Sequence, residues 1–473
     1  MKRAASIIGR LAPRPRSHTP PLHDLPALSA LSALSPLSAH DWGVVAVFGV
    51  VYLGMFLGGL PHFKLDRSGV ALLGAIAMIA LTGLTPEHAA RAVDLPTIVL
   101  LFAFMVVSAQ MRLGGFYAEV TRAVGALPLA RAGLLAAMIA VAAVLSAVFS
   151  NDVVCLAMTP VVARICLARR LDPLPFLLGL ACAANIGSAA TLIGNPQNML
   201  IGSVLQLPFA PYLQAAWVPV VLALVLTWAW LAWVDGRRGA SAAKAGDATA
   251  PRAPSGPAAS IVPTVEAAAD ADSPAFDRFQ TAKGLAVAGV LMMVFVFTDW
   301  PRDVAALVGA GVLLLSRRLH SSQVMGYVDW QLLLLFIGLF VVNHAFQGTG
   351  LAAVAVQWLA ARGVHVAEPG ALLVLGAALS NMVSNVPAVM LLLPHLGEAG
   401  SAQAHEAGVM LALASTFAGN LLLVGSIANL IVVDLAERAG VRIDWLAHAR
   451  VGVPVTLASL AVLWASFALG VGR

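Results

Sequence analysis

Charged side chains are scarce in this chain: Asp, Glu, Lys and Arg together make up 11% of its 473 residues. Soluble domains carry about 25% charged residues, so this scarcity excludes an ordinary soluble globular protein. Apolar residues reach 60%, and the mean hydropathy is +0.88. These values predict a polytopic membrane protein embedded in the lipid bilayer. The formal net charge of +5 is spread over short loops rather than along one stripe, so we expect no nucleic-acid partner.

Cysteine is also rare, with Cys155, Cys166 and Cys182 all in or beside apolar segments of the first half. One interpretation is that they are small buried apolar residues with no disulfide; the alternative is that their thiolates bind a soft metalloid. Motifs of membrane-embedded enzymes are missing: there is no His-Glu-x-x-His, no Gly-x-Ser-x-Gly and no pair of intramembrane carboxylates. We therefore expect no enzymatic activity, no cofactor and no resident metal ion.

Hydrophilic stretches divide the chain into four parts. Residues 1–41 form a polar, Pro-rich, basic tail that we predict to be disordered, and no uninterrupted apolar core follows its basic residues, so we expect no cleaved signal peptide. Residues 235–282 form a linker rich in Ala, Pro, Ser, Gly and Asp. The remaining regions, 42–234 and 283–473, consist of apolar segments, most of them near the ~20 residues that a helix needs to cross the hydrocarbon.

The two apolar regions are related by an internal duplication. Leu145-Ser146-Ala147-Val148-Phe149-Ser150-Asn151-Asp152 matches Leu379-Ser380-Asn381-Met382-Val383-Ser384-Asn385-Val386 without a gap, and Pro160 and Pro394 follow at the same spacing. Further matches occur in the same order along the chain: Val93-Asp94 with Val328-Asp329, Gly194 with Gly425, and Asn198 with Asn429. Chance composition could produce one such match but hardly an ordered series, so each region is one repeat of a common unit.

Each repeat contains a broken pair of apolar segments around the shared Ser-Asn. From Asn385 to His395 a helix rises only about 16 Å, roughly half of the hydrocarbon thickness, which favours a re-entrant hairpin that returns to the side it entered from. Five crossings plus one hairpin give an odd number of crossings, so the second repeat is inverted relative to the first. The predicted fold is an all-α polytopic membrane protein of two inverted repeats, each with about five transmembrane helices and one re-entrant hairpin, and with broken helices at the midplane.

Loop charges give this fold an orientation. Lys and Arg are concentrated in one set of loops, which the positive-inside rule makes cytoplasmic. The linker is then cytoplasmic, the first hairpin enters from the cytoplasm and the second enters from outside. The basic tail lands outside, so either it is an exception to the rule, or the true start lies further downstream, or the first segment does not cross.

Four polar clusters interrupt the apolar segments, and we predict that they meet near the midplane as a substrate and ion site. Each hairpin tip faces a helix broken at Gly, or at Gly-Asn-Pro, where freed carbonyls could bind a cation and a half-helix N-terminus could bind an anion. The alternative is that small and amide residues hold packed helices together. The candidate residues are Ser150, Asn151, Asp152, Thr191, Gly194, Asn195, Asn198, Ser384, Asn385, Gly425, Ser426 and Asn429.

Asp152 is the only acidic residue that we place near the midplane. An intramembrane carboxylate is expected to carry a proton or to bind a cation, which makes Asp152 the predicted coupling residue. The alternative is a loop-exposed aspartate, if the surrounding pair of segments forms two full crossings. The equivalent residue of the second repeat is Val386, so coupling should be asymmetric between the halves. We place no Lys or Arg within the membrane core.

With these motifs the chain resembles the ion-transporter superfamily of arsenical-resistance efflux pumps, citrate and divalent-anion:sodium symporters, and sodium/proton antiporters. The resemblance spans about 42–472 except the linker. The motifs that carry it run from Ser150-Asn151-Asp152 to Thr159-Pro160, from Asn185-Ile186-Gly187 to Gly194-Asn195-Pro196-Gln197-Asn198, and through Ser384-Asn385. It implies that Ser150, Asn151, Asn195, Ser384 and Asn385 are site residues, with Na⁺ at Asn151, Asn195 and Asn385 as one option. Asp152 and Val386 replace the Thr of carboxylate symporters, and Asp152 is more like the arsenical-pump branch.

The expected function is secondary active transport by alternating access in the cytoplasmic (inner) membrane. The solute would be a small anion or a metalloid oxyacid such as arsenite or antimonite, coupled to H⁺ or Na⁺. A citrate or dicarboxylate symporter is the main alternative, and a membrane-embedded enzyme or a passive channel belongs to other classes. The resemblance also suggests a homodimer as one oligomeric state.

Overall fold

The computed structural model describes residues 38–60, 63–244 and 275–470, which contain 20 α-helices and one short pair of strands. The predicted tail and most of the predicted linker lie outside these residues. Of the tail, only 38–41 are described, and the first helix already begins at Ala39. Of the linker, 235–244 continue a long helix that begins at Phe209, and 278–282 begin the next one.

Ten helices belong to each repeat. The first ten are α1 (Ala39–Leu57), α2 (Arg67–Thr82), α3 (Pro86–Arg91), α4 (Leu95–Leu113), α5 (Phe116–Ala126), α6 (Arg131–Val148), α7 (Asn151–Ala168), α8 (Pro173–Ser188), α9 (Pro196–Val204) and α10 (Phe209–Lys244). The second ten are α11 (Arg278–Phe297), α12 (Arg302–Leu314), α13 (Ser321–Met325), α14 (Trp330–Gly348), α15 (Leu351–Ala360), α16 (Pro369–Val383), α17 (Asn385–Leu392), α18 (Ala402–Ala418), α19 (Ile427–Arg438) and α20 (Trp445–Ala468). Each helix therefore has a counterpart ten places further on.

The helix caps confirm the duplication in detail. Asp94 caps α4 by accepting a hydrogen bond from the Thr97 amide (2.9 Å), and Asp329 caps α14 in the same way from the Leu332 amide (2.9 Å). Gly115 and Gly350 begin the equivalent helices α5 and α15 with φ of 69° and 73°, a left-handed conformation that favours glycine. The same local chemistry thus starts the same element twice.

The helix order of each repeat fits the predicted five crossings and one hairpin, although each leg of hairpin one is itself long and apolar enough to span a membrane. The crossings are α1, α2, α4, the broken helix α8–α9 and α10 in the first repeat, and α11, α12, α14, the broken helix α18–α19 and α20 in the second. Hairpin one is α6 and α7 with its tip at 149–150, and hairpin two is α16 and α17 with its tip at Ser384. The legs of hairpin one, 18 residues each, are about 27 Å long at the α-helical rise. This is longer than a dip to the midplane requires.

Four short helices and one strand pair add to the predicted elements. These are α3, α5, α13 and α15, together with β1 (Gly59–Leu60) paired antiparallel to β2 (Leu65–Asp66). Helix α5 shows why a search for apolar runs misses them. It buries Tyr117 and Thr121 while Glu119 and Arg122 form an exposed ion pair at 2.6 Å, the two-faced pattern of a helix at the membrane surface.

The helices pack as two groups. The α1 bundle contains α1, α2, α4, α11, α12 and α14, in which α2 packs against α14 and its counterpart α12 packs against α4. The hairpin bundle contains α6–α10 and α16–α20, in which each hairpin packs against the broken helix of its own repeat. Eight of the described helices are long and apolar enough to span a membrane, and large apolar side chains such as Phe56, Met293 and Phe297 are exposed on the outside. The fold is that of a multi-pass membrane protein.

Candidate solute-binding site

The first broken helix stops at Ser188 and restarts at Pro196, leaving residues 189–195 unwound. Asn195 caps the new helix by accepting from the Asn198 amide (2.9 Å), and its side-chain amide donates to Ser188 Oγ (2.9 Å). A Cβ on Gly194 would lie 2.2 Å from the carbonyl oxygen of Ser188, so no side chain fits there. Pro196 is the first residue of the new helix, and Asn195 before it is extended (φ −152°, ψ 160°), as expected of a residue that precedes proline.

Two further candidates brace this break. Asn198 Nδ2 donates to the Thr191 carbonyl (2.9 Å) and to the hydroxyl of Tyr212 (2.9 Å), which in turn donates to the Ala189 carbonyl (2.8 Å). Thr191 Oγ1 donates to the Ala147 carbonyl near the tip of hairpin one. The side chains and backbone of Thr191, Gly194, Asn195 and Asn198 therefore shape the break itself. None of the four lines the cavity that is described below.

The second broken helix is unwound over 419–426, with a 3₁₀ turn at Leu423–Gly425, before α19 begins at Ile427. Asn429 Nδ2 donates to the Gly419 carbonyl (2.9 Å) and to the Leu422 carbonyl (3.3 Å), closing the loop over itself. A Cβ on Gly425 would lie 3.0 Å from its nearest neighbours, a looser fit than at Gly194.

A pair of equivalent contacts joins the two breaks to the opposite repeat. Ser426 of the second break donates to Asn185 Oδ1 of α8 (2.9 Å), and Asn195 of the first break approaches Thr416 Oγ1 of α18 (3.5 Å). In the alignment of the repeats Asn195 matches Ser426 and Asn185 matches Thr416, so the same contact is made twice. The breaks therefore meet across a pseudo-two-fold axis, as inverted repeats require.

Asn185 is the centre of this amide cluster. Its Oδ1 accepts from Asn151 Nδ2 of hairpin one (3.0 Å) as well as from Ser426, and its Nδ2 donates to Asn420 Oδ1 (2.8 Å) and Asn429 Oδ1 (3.1 Å). In the sequence, Asn185 was recognised only as part of the family motif, and Asn420 was not recognised as a site residue. Their signal was available: each is an amide at or beside the end of an otherwise apolar membrane helix.

The hairpin tips are held differently. The Asn151 amide donates to the Gly194 carbonyl (3.2 Å), which fastens tip one to the first break. At tip two, Asn385 Oδ1 accepts from Ser380 Oγ of its own hairpin, and Ser384 has φ 77° and ψ 158°, a region that side chains other than glycine rarely occupy. Tip two therefore has a strained backbone and mainly internal bonds.

Both tips and both broken helices open onto one cavity of about 40 Å³ between the two bundles. The α1 bundle lines it with Met55, Arg67, Leu332 and Leu335. The hairpin bundle lines it with Asn151, Asp152, Pro196, Gln197, Ser384, Asn385, Val386, Pro387, Ser426 and Ile427. The predicted convergence is thus present, with Asn151, Asp152, Ser384, Asn385 and Ser426 on the cavity wall.

Helix N-termini dominate this wall. Helices α7, α9, α17 and α19 all begin with residues that line the cavity or flank one that does, so the positive ends of four helix dipoles face it. Ser150, Ser384 and Ser426 stand at three of these N-caps, yet none of their side chains bonds back to its helix. The first amides of an α-helix have no partner within it, so the N–H groups here that remain free are suited to binding an anion; the Asn151 N–H is taken up by Gly194 and Pro387 has none.

Arg67 and Asp152 are the two charged side chains on the cavity wall. Arg67 was expected in a loop, but it is the first residue of α2, directly after the strand pair, and it lines the cavity. A sequence signal existed: Arg67 with Gly74-Ala75 matches Arg302 with Gly309-Ala310 at the same spacing. Asp152 forms no ion pair with any described residue.

Other proposed ligand atoms are less available. Asn151 Oδ1 is buried without a partner, whereas the side-chain oxygens of Asn195 and Asn385 accept hydrogen bonds from the Asn198 amide and from Ser380. Within the described ranges no cluster of His, Cys, Asp and Glu could hold a metal ion. Cys155, Cys166 and Cys182 are buried in helix packing and do not line the cavity, as expected of small apolar residues.

Comparisons with known proteins identify transporters that are similar to this chain. The chain is 30% identical over 461 residues to the silicon efflux transporter LSI3 of Oryza sativa subsp. japonica, covering 88% of this chain and 95% of the relative. It is 28% identical over 380 residues to the inner membrane protein YbiR of Escherichia coli (80% and 89% covered), and 23% identical over 487 residues to the putative transporter arsB of Dictyostelium discoideum (84% and 86% covered).

Among solved structures, the Alcanivorax borkumensis YdaH transporter, described as having an unusual topology, superposes with a TM-score of 0.50 at 14% identity. The match covers 91% of this chain and 98% of that one, and it supports the fold alone. The family model described as a citrate transporter, CitMHS, matches residues 51–418. The chain therefore belongs to the CitMHS citrate transporter family of the ion-transporter superfamily, and it is a secondary anion transporter.

Proposed function

We propose that this transporter moves a small metalloid oxyacid or its anion, of the arsenite or antimonite kind, by alternating access coupled to protons through Asp152. The observation that carries the proposal is the single cavity into which both hairpin tips and both broken helices project, with Asp152 on its wall. A site between two inverted halves can face one side and then the other as the halves move against each other.

The size and chemistry of the cavity favour a small solute. One water needs at least about 10–15 Å³, so a cavity of about 40 Å³ suits a compact oxyacid, whereas citrate would require a wider opening. Uncapped helix N-termini and the hydroxyl and amide groups of Ser384, Asn385 and Ser426 match the oxygens of such a solute. A relative of this chain is a silicon efflux transporter, and silicon in water is also a weak oxyacid.

Proton coupling is favoured over sodium coupling by the state of the oxygen ligands. Na⁺ would need several available oxygens, and of the three proposed side-chain oxygens only Asn151 Oδ1 accepts no hydrogen bond, whereas those of Asn195 and Asn385 each accept one. Asp152 forms no ion pair with a described residue, so its carboxylate can take up and release a proton as the cavity changes its access.

Purified protein in liposomes tests the proposal directly. Fluxes of arsenite, antimonite, silicate, citrate and succinate would be measured under imposed proton gradients and, separately, sodium gradients, with empty liposomes as the control. We expect proton-driven flux of at least one oxyacid. Flux that ignores both gradients would indicate a passive channel, and it would contradict the proposal.

A carboxylate:cation symporter is the second candidate. The matching family model is described as a citrate transporter, and Arg67 with the uncapped helix N-termini could bind a carboxylate. Sodium-driven uptake of citrate or succinate in the same liposomes, without oxyacid flux, would favour this candidate over the first.

A further inference from the structure

The start of α2 is built to hold Arg67 in one place. Helix α1 ends at Leu57, and the two-residue strands 59–60 and 65–66 pair so tightly that a Cβ on Gly59 would lie 2.3 Å from the Leu65 carbonyl oxygen. Asp66 then caps α2 by accepting from the Gly69 amide (2.8 Å) and from Ser68 Oγ (2.8 Å). The following residue, Arg67, is the first of the helix, and its side chain lines the cavity.

Arg67 has no acceptor among the residues that the structure describes. Its Nε is buried without a hydrogen-bond partner, and it forms no ion pair with any residue of the described ranges. Its counterpart Arg302, the first residue of α12, instead donates to the Gly202 carbonyl of α9 (2.8 Å). Arg67 is half-buried, and a buried N–H such as that of its Nε is unfavourable without an acceptor, so a ligand in the cavity is the natural source of one.

The surroundings of Arg67 select the charge of that ligand. Arg67 belongs to the α1 bundle, and the uncapped N-termini of α7, α17 and α19 face the cavity from the hairpin bundle. Asp152 on the same wall offsets one positive charge. This arrangement fits a compact anion with one negative charge, whose oxygens could reach the guanidinium and the helix N-termini together.

We propose that Arg67 is a binding residue for an anionic oxygen of the solute, and that the site takes a singly charged oxyanion in preference to the neutral acid. This assignment rests on the proposed function. It narrows the proposed solute from an oxyacid in either form to the singly charged anion. Because Arg67 contributes a planar pair of N–H donors as well as charge, lysine should replace it only in part.

Binding can be tested separately from transport. The unfolding temperature of the detergent-purified protein would be measured against increasing concentrations of arsenite, silicate, citrate and phosphate, with sodium chloride to match ionic strength. Arsenite and silicate would be measured both where they are neutral and at a pH where they carry one charge. The variants are Arg67→Gln, Arg67→Lys and, as the matched control, Arg91→Gln, which removes an exposed arginine of the same repeat.

We expect at least one anion to stabilise the wild type and Arg91→Gln. Arg67→Gln should need about 10- to 100-fold more of that anion, as for the loss of a hydrogen bond to a charged group, and Arg67→Lys should lie between them. Equal responses of wild type and Arg67→Gln would overturn the assignment, as would preferential stabilisation by the neutral acids. The unfolding temperature of each variant without solute shows that it is folded.

Flux through liposomes then separates the two proposals. Arg67-dependent anion binding without gradient-driven flux would leave the binding site standing and contradict the transport function. Gradient-driven flux with an unchanged KM in Arg67→Gln would leave the function standing and contradict the role of Arg67.

Discussion

The two hairpins share an ancestry and a Ser-Asn tip, yet only the first brings a charge to the cavity. Asp152 follows the tip of hairpin one, and Val386 occupies the equivalent position of hairpin two. The arginines divide in the same way, since Arg67 faces the cavity and Arg302 bonds to Gly202. The two repeats therefore contribute equivalent backbone segments to the cavity, but both charged side chains on its wall come from the first repeat.

The sharpest test of this asymmetry places the same side chain at both equivalent positions. We expect Asp152→Asn to reduce proton-driven flux by about 5- to 150-fold, the usual range of a coupling between two bound ligands. Val386→Asn, which adds the same amide to hairpin two, should retain coupled flux. Full proton-driven transport by Asp152→Asn in liposomes would rule out the coupling role, and equal losses in both variants would rule out the asymmetry.

The amide cluster offers the next comparison, between Asn185 and its counterpart Thr416. Asn185→Ala would leave several buried amides without partners, at about 1–3 kcal/mol for each unsatisfied group. Thr416→Ala would remove one hydroxyl that accepts from Gln197 (3.2 Å) and Asn195. Thermal unfolding in detergent should therefore show a clearly larger decrease for Asn185→Ala, and similar decreases would mean that the cluster contributes equally from both sides.

The two glycines at the helix breaks should also differ. In Gly194→Ala the new methyl group would meet backbone atoms of Ser188 and Ser146 within 2.7 Å, and these atoms cannot rotate away. We expect the free energy of unfolding to fall by about 1–3 kcal/mol, as for an overpacked core. In Gly425→Ala the new methyl group would lie 3.0 Å from its nearest neighbours, so the free energy of unfolding should fall by less than in Gly194→Ala. Equal costs in a denaturant or thermal series would contradict this difference in fit.

We expect the smallest changes in stability when the serine at each tip is replaced by glycine, and we expect the two changes to have opposite signs. Ser384 has φ 77°, in a conformation that costs a non-glycine residue about 1–3 kcal/mol. Ser384→Gly should therefore raise the unfolding temperature. Ser150 has φ −57°, an ordinary conformation, and stands at an N-cap, so Ser150→Gly should destabilise by about 0.3 kcal/mol. A decrease in both variants would show that the Ser384 side chain contributes more than its backbone strain costs.

Patterns that depend on local composition were predictable from the sequence. The ordered matches gave the duplication, the odd number of crossings gave its inversion, and Gly194-Asn195-Pro196 gave the position of the first break. The meeting of Asn151, Asp152, Ser384 and Ser426 on one cavity followed from these three steps. Such features follow from polarity and chain geometry, which a sequence records directly.

Features that depend on packing between distant segments were not predictable in this way. Arg67 borders a short polar turn and therefore looked like a loop residue, and only the strand pair at 59–66 brings it into the cavity. The role of Asn185 depends on partners from both repeats. The surface helix α5 was missed because its two-faced pattern has no long apolar run.

The contrast in how the tips are fastened determines which part of the molecule is free to swing. Tip one is fixed by Asn151 to Asn185 and to the Gly194 carbonyl, and through Asn185 to Ser426 of the opposite repeat. We therefore expect tip one to move only together with the whole hairpin bundle. Tip two bonds through Asn385 to Ser380 of its own hairpin, and that hairpin bonds to α18 through Ser380 and Asn381. None of these bonds involves Asn185, so we expect tip two to be able to move without breaking the amide cluster.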